Sequence, residues 1–237
     1  MDKQTRQQLL DVVKKNYEEI AEEYDRTRRK KTTLLWRKVA DYAEQVNPGS
    51  KVLDVGCGNG KLLEFLPQGV DYLGVDFSNR VIGIAKARFR EERFEVADIL
   101  NLEKIKGSGF DHVFCIAVFH HLPSRQLRVQ ALQEMTRKMS QDGQLVLTAW
   151  NLWGQKKFRK LIVKNILLKI LGKNKMDIGD IVFDWKGNNK QTVSRRYYHG
   201  FTKRELKKAV KQAGLSLVQL RKDNYNYFVI VKKRSKG

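Results

Sequence analysis

The sequence predicts an α/β chain: a seven-stranded, mostly parallel sheet with an antiparallel last strand and helices on both faces. Three observations carry that expectation. Five short apolar runs, at 51–55, 71–75, 93–97, 110–117 and 144–149, alternate with helical stretches, as parallel strands joined by helical crossovers do. The first run ends in a glycine-rich turn that opens the next stretch. Two further apolar runs near the carboxyl end are joined by so short a turn that they must be antiparallel neighbours.

Taken in order, residues 4–24 place Leu9, Leu10, Val13, Tyr17, Ile20 and Tyr24 at helical spacing, giving an amphipathic helix that leads into the core. A second helix is expected from Thr32 to Val46, stopped by Asn47-Pro48-Gly49. Val52, Leu53 and Val55 suit a strand buried on both faces. Gly56, Gly58 and Gly60, at every second position, then let the chain turn sharply and lie against a ligand with no Cβ in the way. Ser78 is placed to cap a helix from Arg80 to Arg88, and Ser124 one from Gln126 to Met139. Gln141-Asp142-Gly143 reads as the turn into the fifth strand.

After Trp150 the character of the chain changes. Leu161, Ile162, Ile166, Leu167, Ile170 and Leu171 fall on one face of a lysine-rich helix ended by Gly172, and 173–195 reads as loop. Thr202 caps a helix to Ala213, and strands from Leu215 to Leu220 and from Tyr225 to Val231 close the sheet. With 237 residues, enough for one sizeable core, the expectation is a single domain over 1–237, with amino-terminal helices in 1–47 and a basic helical insertion at 151–200.

The glycine turn gains chemical meaning from an acid further along the chain. Asp76, twenty residues after Gly56, closes the second apolar run, where a carboxylate can accept hydrogen bonds from two ribose hydroxyls. The spacing is GxGxG, unlike the GxGxxG of dinucleotide sites, and no Walker lysine-serine pair comes after it. Ligands of doubly wound sheets collect beyond the carboxyl ends of the strands, near the reversal of strand order. The end of the fourth run, Cys115 to Leu122 with His120-His121, therefore faces the chemistry.

The stretch Val52 to Lys61, succeeded in order by Asp76, Ala97-Asp98, Phe110 to Val118 and Gly143 to Trp150, resembles the motifs of the class I S-adenosylmethionine-dependent methyltransferases, whose fold is Rossmann-like. The resemblance implies S-adenosyl-L-methionine (AdoMet) as cofactor. It places Gly56, Gly58 and Gly60, with Cys57 among them, along the methionyl and ribose part. Asp54 would bind the amino group, Asp76 the ribose with Phe77 beside it, and Asp98 the adenine amino group next to Ile99, with Ala117 at the end of the fourth strand.

A narrower resemblance covers nearly the whole chain. Tyr17-Glu18-Glu19-Ile20-Ala21 with Thr27-Arg28, the segment from His120-His121 to Arg128, Thr148-Ala149-Trp150, and Arg196-Tyr197-Tyr198-His199 before Phe201 and Glu205-Leu206 are similar to the tRNA wobble-uridine carboxymethyl methyltransferases. That family methylates the carboxylate of 5-carboxymethyluridine. The resemblance implies the catalytic candidates Arg28, His120, Arg128, Trp150, Arg196, Tyr197, Tyr198 and His199, a tRNA substrate and a small zinc-containing activator protein as partner. A carboxylate is already an anion at neutral pH and needs no general base, so cations that orient it are what the site should offer; Arg28, Arg128 and Arg196 suit that part. Trp150, Tyr197 and Tyr198 suit stacking on an extruded base. Read from the residues alone, a small-molecule methyltransferase of quinone or natural-product type, or a non-catalytic tRNA-binding protein of the same fold, stays open.

Charge points the same way. The formal net charge is +21, and 151–237 holds 23 Lys/Arg against 5 Asp/Glu, whereas 51–150 holds 13 against 12. A phosphate backbone is the partner most often matched to such a field, through Lys156, Lys157, Arg159, Lys160 and Lys164 among others, and a membrane surface stays open. Cys57 and Cys115, each in an apolar run, argue against a disulfide framework or a zinc site and make a reducing, cytoplasmic location the expectation. The amino terminus has no apolar leader, and no apolar run approaches the ~20 residues of a spanning helix, so membrane insertion is not expected.

Overall fold

The computed structural model describes residues 1–29, 33–186 and 192–234, with the side chains of Tyr24, Arg28, Arg29, Lys186, Thr192 and Val193 outside that description. Helices α1 (Lys3–Arg29) and α2 (Leu34–Ala43) precede β1 (Lys51–Val55), β2 (Asp71–Asp76), α3 (Asn79–Arg88), β3 (Arg93–Val96), β4 (Phe110–Cys115), α4 (Arg125–Lys138) and β5 (Met139–Trp150). Then come α5 (Lys156–Ile170), β6 (Asp180–Lys186), β7 (Thr192–His199), α6 (Lys203–Gln212), β8 (Leu215–Lys222) and β9 (Asn226–Lys233).

Seven strands lie in the order β3-β2-β1-β4-β5-β9-β8. The first five are mutually parallel, β9 runs antiparallel to β5, and β8 antiparallel to β9. The order reverses between β1 and β4, which opens a crevice at the carboxyl ends of those strands. Side chains alternate across a strand, so each strand feeds two cores. Leu53, Val55, Leu73, Val75, Val113 and Leu145 pack on one face, and Val52, Tyr72, Phe114 and Val146 pack on the other with Val39 and Ala43 of α2 and Ile82 and Ala85 of α3.

Local chemistry sets the ends of the helices. Ser78 and Ser124 accept from the backbone amides of Val81 and Leu127, and Thr202 forms a reciprocal capping box with Glu205. The second helix is shorter than the sequence predicts, Leu34–Ala43, and the expected start at Thr32 lies outside the described residues.

Two expectations need correction. Gln141-Asp142-Gly143 is not a turn: it lies inside β5 as an irregularity, where pairing jumps from Phe110–Met139 to His112–Gln144. A Cβ on Gly143 would stand 2.8 Å from the Phe110 carbonyl oxygen, so the bulge depends on the glycine. Nor is 173–195 all loop, since β6 and β7 form a separate antiparallel hairpin. Its charged residues, Asp180, Asp184, Arg195 and Arg196, break the apolar alternation that marks a strand. Packing supplies what the pattern lacks: Ile181 and Tyr198 join Leu152 and Ile162 of the α5 layer, while Val182 and Tyr197 join Leu9 and Val13 of α1. Among the described residues, no helix is long and apolar enough to cross a membrane.

Candidate active site

The turn after β1 is a run of left-handed glycines: Gly56, Gly58 and Gly60 have φ of 74°, 56° and 75°. Gly56 must also lack a Cβ for space, because one there would stand 2.3 Å from a methyl carbon of Val118. The turn is tied to β2 by Gly56 and Cys57 amides donating to the Val75 carbonyl at 2.7 and 3.0 Å. Asp76 accepts from the amides of Gly58 at 3.2 Å and Ser78 at 3.0 Å. Burial pushes its carboxyl up to about 6, against the pull of those amides. Burial likewise pushes Asp54 up to about 7, although the Tyr72 hydroxyl donates to it at 3.0 Å.

A cavity opens over this turn at the carboxyl ends of β1, β2 and β4. One wall is Asp54, Gly56, Cys57, Asp76 and Phe77, with Ile99 beyond; the end of β4 adds Ala117, Val118, His120 and His121. Asn16, Tyr17 and Ile20 of α1 cover it, and Trp150, Arg196 and Tyr198 close the far side. Ala117 has a φ of 58°, a strained value for a residue with a side chain, and its amide donates to the Thr148 hydroxyl at 2.8 Å.

The far wall is aromatic. His120 stacks on Trp150 with ring centroids 5.0 Å apart, and Tyr198 meets His120, His121 and Trp150 edge-on at 5.2, 5.0 and 5.0 Å. The Tyr17 hydroxyl lies 2.9 Å from His121 Nε2, which ties the α1 cover to the wall. Arg196 donates to the Tyr198 hydroxyl at 3.2 Å and lies 4.2 Å over the Trp185 ring. Among the described residues no carboxylate pairs with it, and its Nε is buried without a hydrogen-bond partner.

The structure brings together only part of the predicted site. Alternation along β7 sends Arg196 and Tyr198 to the cavity but Tyr197 and His199 to the other face, where both reach Asp180. Arg128 is buried behind the cavity, donating to the Leu122 carbonyl at 3.0 Å and lying 3.4 Å from Asp180. Asp98 stays outside the cavity, pairing with Lys14 at 3.4 Å and accepting from the Leu100 amide at 3.0 Å. Gly58 and Gly60 shape the turn without lining the cavity. Arg28 belongs to α1, and its side chain lies outside the described residues.

Other cavity residues escape a sequence reading. Asn59 donates to the buried Asp25 at 2.9 Å, and buried Lys61 pairs with Glu64 at 3.2 Å. Trp36 and Asn16 line the cavity too. Helical spacing marks the apolar face of α1 but not what that face covers. Trp185 and Asp180 lie where no strand is expected.

Residues 53–147 match the family model of a methyltransferase domain. With the strand order and the crevice, they define the fold of the class I S-adenosylmethionine-dependent methyltransferases. An S-adenosylmethionine-dependent methyltransferase from Methanosarcina mazei shares this fold with a TM-score of 0.66 at 20% identity, over 79% of this chain and 94% of that one.

Among curated relatives, a tRNA (carboxymethyluridine(34)-5-O)-methyltransferase of Schizosaccharomyces pombe is 29% identical, over 92% of this chain and 94% of its own length. A probable tRNA methyltransferase 9B of Bos taurus is 37% identical over 115 residues, 48% of this chain. The chain spans 24% of that bovine relative's length.

Proposed function

We propose that this chain is a cytoplasmic tRNA methyltransferase that esterifies the carboxylate of 5-carboxymethyluridine at the wobble position. The observation that carries the reading is Arg196, a guanidinium facing the cavity with a buried, unpartnered Nε and, among the described residues, no carboxylate of the protein beside it. Such a group wants an anionic ligand. The S. pombe relative, matched over nearly its whole length, bears the name of that reaction.

The residues present fit AdoMet. Asp76, at the end of β2, would take the ribose hydroxyls, with Phe77 and Ile99 bounding the adenine. Asp54 would hold the amino group, and the bare glycine turn allows close approach. When bound, this cofactor supplies a sulfonium methyl that is transferred by in-line displacement.

The protein's contribution to that step is alignment. Arg196 would hold the substrate carboxylate by one edge of its fork, leaving an oxygen lone pair to attack. Several cations gripping the carboxylate would stabilise the ground state and slow the attack. Tyr198, with His120 and Trp150 behind it, would stack on the extruded uracil. The exposed Lys156, Lys157, Arg159, Lys160 and Lys164 of α5 would meet tRNA phosphates. A small zinc-containing activator is the protein partner expected of the whole enzyme.

Purified protein incubated with AdoMet, activator and tRNA bearing 5-carboxymethyluridine should yield the methyl ester in digested nucleosides, read by mass spectrometry. Binding of AdoMet without any methyl ester would remove this substrate.

A further inference from the structure

Behind the strand that carries Arg196 lies a polar cluster with no opening to the cavity. Asp180, at 0% exposure, directs its Oδ1 at three groups: the Tyr197 hydroxyl at 2.7 Å, His199 Nδ1 at 2.7 Å and an Arg128 terminal nitrogen at 3.4 Å. Its Oδ2 accepts from the Asp177 amide at 2.9 Å. Tyr197, His199 and Arg128 are themselves 1%, 0% and 4% exposed, so none of them can reach substrate. Asp180 and His199 are direct partners in the register of the hairpin. The ends of the hairpin close tightly over this pair: the Gly200 amide donates to the Gly179 carbonyl at 2.9 Å, and a Cβ on Gly179 would stand 2.8 Å from the Gly200 carbonyl oxygen.

A buried carboxylate surrounded by donors is costly to disturb, since each donor it releases has no water to turn to. Strand geometry then links the two faces: turning Tyr197 and His199 toward Asp180 turns Arg196 and Tyr198 toward the cavity. We propose that Asp180, acting through Tyr197 and His199 and braced by Arg128 from α4, is a positioning residue that sets the reach of Arg196. It touches no substrate. On the proposed function, this cluster tunes how the Arg196 fork meets the substrate carboxylate.

A double-mutant cycle tests this, with kcat measured on tRNA bearing 5-carboxymethyluridine. Tyr197→Phe removes one donor and keeps the ring. It should lower kcat about tenfold, since small misplacements of an orienting group cost rate, and leave the AdoMet Kd within about twofold. In an Arg196→Ala background the same change should alter kcat by less than about twofold, because no guanidinium remains to be misplaced. Equal losses in both backgrounds would show ordinary support of the fold and overturn the proposal.

A second readout needs no substrate. Modification of Arg196 by phenylglyoxal, tracked by peptide mass spectrometry, should be several times faster in Tyr197→Phe and Asp180→Asn than in the wild type; an unchanged rate would overturn the proposal. If Asp180→Asn does not fold, Tyr197→Phe carries both readouts. If the wild type forms no methyl ester, the proposed substrate is wrong, and the modification rates still decide the role of Asp180.

Discussion

Residues 51–150 and residues 151–200 face each other across one cavity, and they are made of different materials. The first wall is mostly backbone: Gly56 of a turn shaped by three left-handed glycines, strand ends and two buried carboxylates, in a segment with 13 Lys/Arg against 12 Asp/Glu. The second is side chain: Trp150 at its edge, then Arg196 and Tyr198 on a two-stranded hairpin, in a segment with 12 Lys/Arg against 3 Asp/Glu. A wall of backbone tolerates few substitutions but needs no distant partner. A wall of side chains on a hairpin depends on the layers that hold it, here α1 on one face and α5 on the other.

If the walls serve different ligands, they should fail separately. The largest effect is expected at Gly56. Gly56→Ala forces a Cβ into Val118 at a φ of 74°, so it should abolish measurable AdoMet binding and destabilise the fold by about 2 kcal/mol or more. Calorimetric titration and thermal unfolding check it, and unchanged AdoMet affinity would break the comparison.

Arg196→Ala should lower turnover about a hundredfold while the AdoMet Kd stays within about twofold, as expected for loss of an orienting charge. Parallel loss of both would mean that the hairpin supports the glycine wall. Replacing Lys156, Lys157, Lys160 and Lys164 together by Gln should reduce the slope of log K against log salt for tRNA by about 3, leaving AdoMet binding alone. A slope that does not move places the phosphate contacts elsewhere.

The smallest effect concerns pH. In the ligand-free protein the Asp54 carboxyl titrates at about 7 and Asp76 at about 6, so AdoMet affinity should fall as the pH drops from about 8 to about 5.5. Stability moves the opposite way. A carboxyl whose pKa is raised by folding binds its proton more tightly folded than unfolded. The Asp54 contribution is therefore fully present below about pH 4 and is lost as the pH rises to about 7. Asp54→Asn should stabilise the ligand-free protein at about pH 8 and leave it nearly unchanged at about pH 4, at the expense of AdoMet affinity. Thermal unfolding at the two pH values reads the sign.

Much of the first wall was legible from residue types. Glycines at every second position, an acid at the end of the next strand and serine caps each state a local backbone requirement, and the structure has the corresponding φ values and hydrogen bonds. The second wall was legible only as a cluster. Arg196-Tyr197-Tyr198-His199 stands out, but with no strand expected there the four residues could not be sorted by face. The α1 cover was visible as an amphipathic helix, and the cavity-facing role of Asn16 and Tyr17 was not.

By itself, then, the sequence determined the crossover pattern, the glycine turn and the charged end, because each is a property of neighbours along the chain. Tertiary structure decided which members of β7 face the cavity, why Arg128 and Asp98 do not, and that Asp180 belongs to the site's support. The physical reason is register: in a strand of period two, a shift of one residue reverses every side chain, and the register here is held by contacts between β6, α1, α4 and α5 that no local pattern encodes.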